Sequence, residues 1–282
     1  MSVQQVSVSV LEDKTSVPYV QAPEAATVVI ELEDKSRPSV LGESLFRDLV
    51  AFVNPGSGGR QGPALLRHLG ALIGTERVFT IGTLNGVLHR PVDYLSKVIL
   101  GRTQPLRVIV CGGDGSVAWV ISDADLLTQP HSGIQVFIIP LGTGNDLARA
   151  MLCGGGYSGR TVQDLRAVLL RCLASVPVLL DRWRLTFEFS SSIPSRSRQI
   201  FNYCSIGLDA RIAYRFHHAR ESNPRLFFAQ CFNQLLYGCF ACRQLCDSLP
   251  PLDTYLDLYV DGQFIELPSD FKVFTVNHAI FQ

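Results

Sequence analysis

The sequence predicts an α/β protein: a parallel-sheet domain followed by a mostly β second domain that carries a helical insertion. Three observations predict this. Residues 49–53, 106–111 and 134–139 are apolar apart from Arg107 and Gln135 and alternate with segments of helical periodicity; strands without a polar face belong to a parallel sheet covered by helices on both sides. Each of these runs ends in a glycine-containing loop. After Arg160 the rhythm changes to long strand-like runs.

Residues 49–53 read as a buried strand stopped by Asn54-Pro55-Gly56. Apolar residues at helical spacing follow at 64–73, then a short strand at 78–81 and a helix at 92–100. The β-forming run 106–111 stops at Gly112-Gly113, and a helix spans 117–127. Strand 134–139 stops at Pro140 and Gly142, and another helix starts near Asp146. Residues 162–173 are helical. Strands at 176–189 and 198–208 flank a polar loop at 190–197, and a helical stretch, 210–246, breaks at Asn223-Pro224. Strands at 255–260, 263–267 and 271–276 come last, the first two joined by a turn at Asp261-Gly262. Residues 1–45 read as an acidic, poorly ordered arm with a short strand at 27–32, since residues 1–44 hold seven acids against three bases. The resulting division is an arm at 1–45, an α/β domain at 46–175 and a β-rich domain at 176–282.

The chain has 282 residues, 47% of them apolar, enough to bury the core of one large or two modest domains. Its formal net charge is zero. With an acidic arm, the remainder is mildly basic, which suits an anionic substrate or a membrane surface; no nucleic acid is expected as a partner. The start has no basic segment ahead of an apolar one, and no run is long enough to cross a bilayer. The eight cysteines therefore read as reduced thiols of a cytoplasmic protein. Cys239 and Cys242, with His217 and His218 upstream, lack the second ligand pair of a zinc site, and buried free cysteines commonly act as small apolar residues.

The loops carry the chemistry. In Cys111-Gly112-Gly113-Asp114-Gly115-Ser116, glycines allow an anion to approach the backbone, and the start of the next helix points amide groups at it. A carboxylate there repels phosphate unless it holds magnesium or accepts a proton from an attacking hydroxyl; a tight turn with an aspartate cap explains the same residues equally well. The loop Gly142-Thr143-Gly144-Asn145-Asp146 repeats the chemistry, with Asp146 also placed to begin a helix. The loop Asn54-Pro55-Gly56-Ser57-Gly58-Gly59 offers similar groups. None is a Walker A motif or a dinucleotide fingerprint.

Taken in order, Val53-Asn54-Pro55 with Ser57-Gly58-Gly59, the run from Cys111 to Ser116 and the run from Pro140 to Arg149 resemble the nucleotide-binding loops of diacylglycerol kinases. Gly154-Gly155-Gly156-Tyr157, Asp181-Arg182-Trp183 and the stretch 201–221 are similar to later motifs of the eukaryotic members. The resemblance covers residues 46–276. It implies an ATP-dependent kinase acting on 1,2-diacylglycerol at a membrane surface, with a sandwich-like second domain and the nucleotide held between the two. Gly112, Gly113, Gly115 and Ser116 would meet the phosphates, with Asn54, Ser57, Gly58, Gly142, Thr143 and Asn145 in contact. Asp114 would be catalytic, and Asp114, Asp146 and Asp181 would hold magnesium through water. The aromatic stretch with Phe227, Phe228, Phe232, Leu235, Leu236 and Phe240 offers either a membrane contact or a packed helix face, the second being the commoner use of such a stripe.

Two departures stand out against the resemblance. Ser116 takes the place of the usual threonine and keeps the hydroxyl. Family members continue beyond the point matching Gln282, so the resemblance implies an accessory domain truncated at its C-terminus, with marginal stability to match. Two alternatives follow: a kinase of sphingoid bases or ceramide, and a catalytically silent binder of nucleotide and membrane.

Overall fold

In the computed structural model, the described residues are 6–21, 45–57, 61–99, 102, 104–127, 134–189, 196–223, 230–245, 250–254, 256–260, 263–270 and 272–277. The chain divides into two units, Met1–Phe201 and Asn202–Gln282.

The first unit runs β1 (Val6–Gln21), β2 (Leu49–Val53), α1 (Gly62–Ile73), β3 (Val78–Thr80), β4 (Gly82–Leu84), β5 (Val87–His89), α2 (Pro91–Ile99), β6 (Leu106–Gly112), α3 (Asp114–Asp125), β7 (Ile134–Pro140), α4 (Asp146–Ala150), α5 (Val162–Ala174), β8 (Val176–Phe189) and β9 (Arg196–Ile200). Seven strands form one sheet in the order β3-β2-β6-β7-β1-β8-β9. The strands from β3 to β7 are parallel, and β1 joins β7 in parallel at Tyr19↔Val136. The last two pairings, β1 with β8 and β8 with β9, are antiparallel.

The core follows from the apolar pattern. Every residue of β2 is buried, as are Val108 to Gly112 of β6 and Val136 to Pro140 of β7. Leu65, Leu69 and Ile73 of α1 recur every fourth residue and are buried, as are Val117, Val120, Ile121 and Ala124 of α3. Helix α5 buries Leu165, Leu169 and Cys172. Thr161 and Asp164 start α5 with a reciprocal capping box, the Thr161 Oγ1 accepting from the Asp164 amide at 3.1 Å and the Asp164 carboxylate accepting from the Thr161 amide at 2.8 Å.

In the second unit, β10 (Tyr203–Gly207) is followed by α6 (Leu208–Ser222), α7 (Gln230–Leu245), β11 (Leu258–Val260), β12 (Gln263–Ile265) and β13 (Val273–Asn277). Antiparallel pairs form between β10 and β13 and between β11 and β12. Thus a parallel sheet with helices is followed by a strand-rich region with a helical insertion. Phe216 of α6 packs edge-on against Tyr237 and Phe240 of α7, with centroids 5.2 and 6.3 Å apart. Phe240 therefore serves a helix–helix contact, whereas Leu235 is exposed. Phe227, Phe228 and the 27–32 strand lie outside the described residues.

The structure differs from the sequence reading at three places. Within the 1–45 arm, Val6–Gln21 is a strand bridging β7 and β8; the alternation of valine with serine from Val6 to Val10 is its signal, and the acidic composition masked it. The compact units divide after Phe201, with β8 and β9 extending the sheet of the first unit. The strand expected at 198–208 is therefore two strands, β9 and β10, in different units. Residues 82–89 form a hairpin whose Asn85-Gly86 turn has positive φ at both residues, 50° and 78°. That dipeptide is a strong hairpin signal that the sequence reading passed over.

Arg107 reaches from β6 to the end of α5. Its Nη1 donates to the carbonyls of Cys172 and Leu173 at 2.9 and 2.8 Å, and its Nε to the Gln135 side chain at 3.2 Å. Helix ends leave carbonyls without partners, and a cation there also meets the negative end of the helix dipole. Arg107→Met should therefore lower the stability of the first unit by about 1.5–3 kcal/mol, the usual worth of hydrogen bonds to a charged group, read as a lower urea midpoint by tryptophan fluorescence.

Candidate functional site

The chain leaves β2 through α1 toward β3 on one side, and leaves β6 through α3 toward β7 on the other. The sheet therefore reverses its order between β2 and β6, and the crevice beyond the carboxyl ends of such strands is where open α/β sheets bind ligands. The loops after β2, β6 and β7 meet there.

Asn54 ties the first loop to the second. Its Nδ2 donates to Ser116 Oγ at 2.9 Å, its Oδ1 accepts from the Gly56 amide at 3.0 Å, and its own amide donates to the Cys111 carbonyl at 3.0 Å. The Ser57 amide in turn donates to the Asn54 carbonyl, and Ser57 is buried. The second and third loops touch backbone to backbone. A Cβ on Gly142 would stand 2.7 Å from the Gly113 Cα, and one on Gly113 would stand 3.1 Å from the Gly142 Cα. The Leu141 amide donates to the Gly112 carbonyl at 2.9 Å. Gly115, by contrast, has nothing within 4 Å of where a Cβ would be. The glycines thus divide by purpose: Gly113 and Gly142 let the loops meet, Gly112 makes room for the Ser116 side chain, and Gly115 leaves open space at the start of α3.

Asn145 holds the third loop in shape. It takes a left-handed backbone conformation, φ 56°, which asparagine tolerates better than most residues. Its Oδ1 accepts from the Gly142 amide at 2.7 Å, and its Nδ2 donates to the carbonyls of Gly142 and Gly155 at 2.8 and 2.9 Å. At 1% exposure, both of its Nδ2 hydrogens are spent inside the protein. The interaction brings the 154–157 glycine segment against the loop, where the Tyr157 amide also donates to the Pro140 carbonyl.

Asp114 opens α3 but its carboxylate crosses to α4. Oδ2 accepts from the Asp146 amide at 3.0 Å and Oδ1 from the Leu147 amide at 3.1 Å. Burial pushes its pKa above the ordinary aspartate value; the two amides oppose that, the Asp146 carboxylate adds to it, and Arg149 counters. Asp146 and Asp114 flank Gly144, with carboxylate oxygens 3.0 and 3.8 Å from where a Cβ on that glycine would stand. Arg149 donates to the Gly144 carbonyl and pairs with Asp146 at 3.5 Å. Magnesium is commonly held by one or two carboxylates together with phosphates and water. The Asp114–Asp146 pair fits a magnesium carried by a nucleotide; among the described residues no group of three His, Cys, Asp or Glu forms a protein cage.

The structure thus brings together Asn54, Ser57, Gly112, Gly113, Asp114, Ser116, Gly142, Asn145 and Asp146, with Gly115 and Thr143 on the same loops. Gly58 lies outside the described residues, and Asp181 sits in β8 with its side chain outside them. Sequence reasoning missed Arg149 as a group that braces the site, and it missed Gly82, whose Cβ position lies 3.6 Å from Asn54 Oδ1. The Gly82 contact is long-range and leaves no local pattern, whereas the Asp146–Arg149 spacing of three residues was the signal that could have found the arginine.

Gly142→Ala should cost about 1–3 kcal/mol of stability by overpacking two backbones, whereas Gly115→Ala should unfold at or above the denaturant concentration of the unaltered chain. Paired urea titrations check both.

Comparison with known proteins accords with this geometry. The diacylglycerol kinase catalytic domain model matches residues 48–178, and the diacylglycerol kinase accessory domain model matches residues 199–278. Diacylglycerol kinase 2 of Arabidopsis thaliana is 39% identical over 230 residues, covering 79% of this chain and 31% of the relative. Probable diacylglycerol kinase 3 of Caenorhabditis elegans is 34% identical across 79% of this chain and 28% of its own length. Diacylglycerol kinase iota of Homo sapiens is 35% identical across 74% of this chain and 20% of its own length. The chain spans less than a third of the length of these relatives. With catalytic and accessory segments in the same order and the three loops meeting where the sheet reverses, the chain belongs to the diacylglycerol kinase family.

Proposed function

We propose that this chain transfers the γ-phosphoryl group of ATP to the primary hydroxyl of a 1,2-diacylglycerol, giving phosphatidic acid and ADP. The observation that carries the reading is the meeting of three loops at the reversal of the sheet, with the carboxylates of Asp114 and Asp146 beside open backbone.

The phosphates of ATP lie against the start of α3, where Gly115 presents no side chain and the positive end of the helix dipole favours an anion. Ser116, positioned by Asn54, offers its hydroxyl, and Arg149 adds a positive charge. Thr143 lies on the facing loop. Asn145 contributes by shaping that loop rather than by reaching the nucleotide. Asp114 and Asp146 would hold magnesium through water, with Asp181 as the third carboxylate that the family resemblance implies, and the ion would supply charge neutralisation to the phosphates. The lipid hydroxyl oxygen bonds to the γ-phosphorus as the bond from that phosphorus to the bridging oxygen breaks, and ADP leaves. Asp114 accepts the hydroxyl proton; its burial, which favours the protonated carboxyl, suits that role. Because diacylglycerol resides in bilayers, the chain works at a membrane surface.

In mixed micelles with labelled ATP and magnesium, Asp114→Asn should form phosphatidic acid at least about a hundredfold more slowly than the unaltered chain, the usual contribution of a general base, while its far-ultraviolet circular dichroism stays unchanged. Turnover by the variant at the original rate would overturn the assignment of Asp114. Phosphorylation of sphingosine or ceramide in preference to diacylglycerol would overturn the substrate.

A further inference from the structure

The β4–β5 hairpin has no part in the loop contacts described above, yet it is rooted beside them. Gly82, its first residue, lies against Asn54. Its far end is fixed too: His89 Nδ1 shares a 3.0 Å hydrogen bond with the Tyr94 hydroxyl, and Arg90 pairs at 3.1 Å with Asp123, a buried carboxylate of α3 that also accepts the Val92 amide. The base of the hairpin is thus braced against α2 and α3, the second of which begins at Asp114.

The tip is the opposite. Among the described residues the hairpin forms a two-stranded sheet of its own, with no further strand paired to either edge. Leu84 is 42% exposed, Val87 58% and Leu88 56%. The register pairs Leu84 with Val87 and Thr83 with Leu88, so side chains of the two pairs point to opposite faces. The apolar groups are therefore exposed on both faces, and a protein surface docking on one would leave the other in water. No Asp, Glu, Lys or Arg occurs from Val78 to Leu88. Charge returns only at the base, where it is balanced: Arg90 pairs with Asp123, Arg77 with Glu76, and Lys97 and Asp93 are both exposed on α2. An uncharged tip on a braced base, apolar on both faces, matches the apolar interior of a bilayer, which surrounds an inserted group on every side.

We propose that the β4–β5 hairpin inserts its Leu84, Val87 and Leu88 tip into the lipid bilayer and so seats the phosphoryl-transfer loops at the membrane. The inference rests on the proposed action on diacylglycerol, and its location is continuous with that site through the contact of Gly82 with Asn54. An amphipathic helix is not needed: a short braced hairpin exposes apolar groups without unfolding anything, since its type I′ turn is formed by Asn85 and Gly86.

The test is co-flotation of the full chain with phosphatidylcholine vesicles containing phosphatidylserine and a minor fraction of dioleoylglycerol. Replacing Leu84, Val87 and Leu88 together by serine should lower partitioning by about tenfold or more, as expected when several aliphatic side chains lose an apolar phase. Val87→Trp should raise it, because tryptophan favours the membrane interface. Both variants should still phosphorylate a short-chain diacylglycerol dissolved as monomers, which separates seating from chemistry. Unchanged partitioning in both variants, or no vesicle binding by the unaltered chain, overturns the hairpin. If partitioning follows the hairpin but no diacylglycerol is phosphorylated, the hairpin stands and the kinase reading falls.

Discussion

Two backbone segments, at Gly113 and Gly142, lie closer together than any side chain would allow, and the arrangement of the site depends on that approach. It lets the Leu141 amide reach the Gly112 carbonyl and sets the start of α4 opposite the start of α3. Only then does the Asp114 carboxylate span the gap to two amides of α4. That carboxylate caps α4 and is the group proposed above to accept the hydroxyl proton. Its ionised form is penalised by burial and stabilised by the amides.

Much of this was legible in the sequence, for identifiable reasons. The strands of a doubly covered parallel sheet are apolar on both faces, so β2, β6 and β7 stand out as apolar runs interrupted only by Arg107 and Gln135, near the starts of β6 and β7. Loops that must touch need glycine, and glycine is visible at single positions. The start of α3 was placed three residues late because Asp114, Gly115 and Ser116 read as loop; the first turn of a helix accepts residues that its interior disfavours. The clamp made by Asn145 was not legible. An asparagine after a glycine loop looks the same whether its amide faces a ligand or its own backbone, and only the position of Gly155 decides.

The division between units shows another limit. Residues 198–208 are strand-forming throughout, and periodicity carries no mark at the point where the chain leaves one sheet for another. What separates β9 from β10 is a choice of partner: β9 pairs with β8, and β10 pairs with β13, more distant in sequence. Partner choice is a tertiary property. The same holds for β1, whose acidic surroundings conceal a strand that becomes visible only beside β7 and β8.

That placement of β1 has a consequence for how the molecule is made. The strand lies between two others that come on the order of a hundred residues later, so its pairings are among the costliest in loop-closure entropy. The four parallel strands can assemble from neighbouring segments, but among the described residues β8 and β9 join that sheet through β1. As the chain emerges from a ribosome, β1 must therefore wait until β8 is synthesised before both of its edges are paired. Growth of the sheet past β7 is then a late, slow event, and the edge of β7 stays open to wrong partners until it occurs.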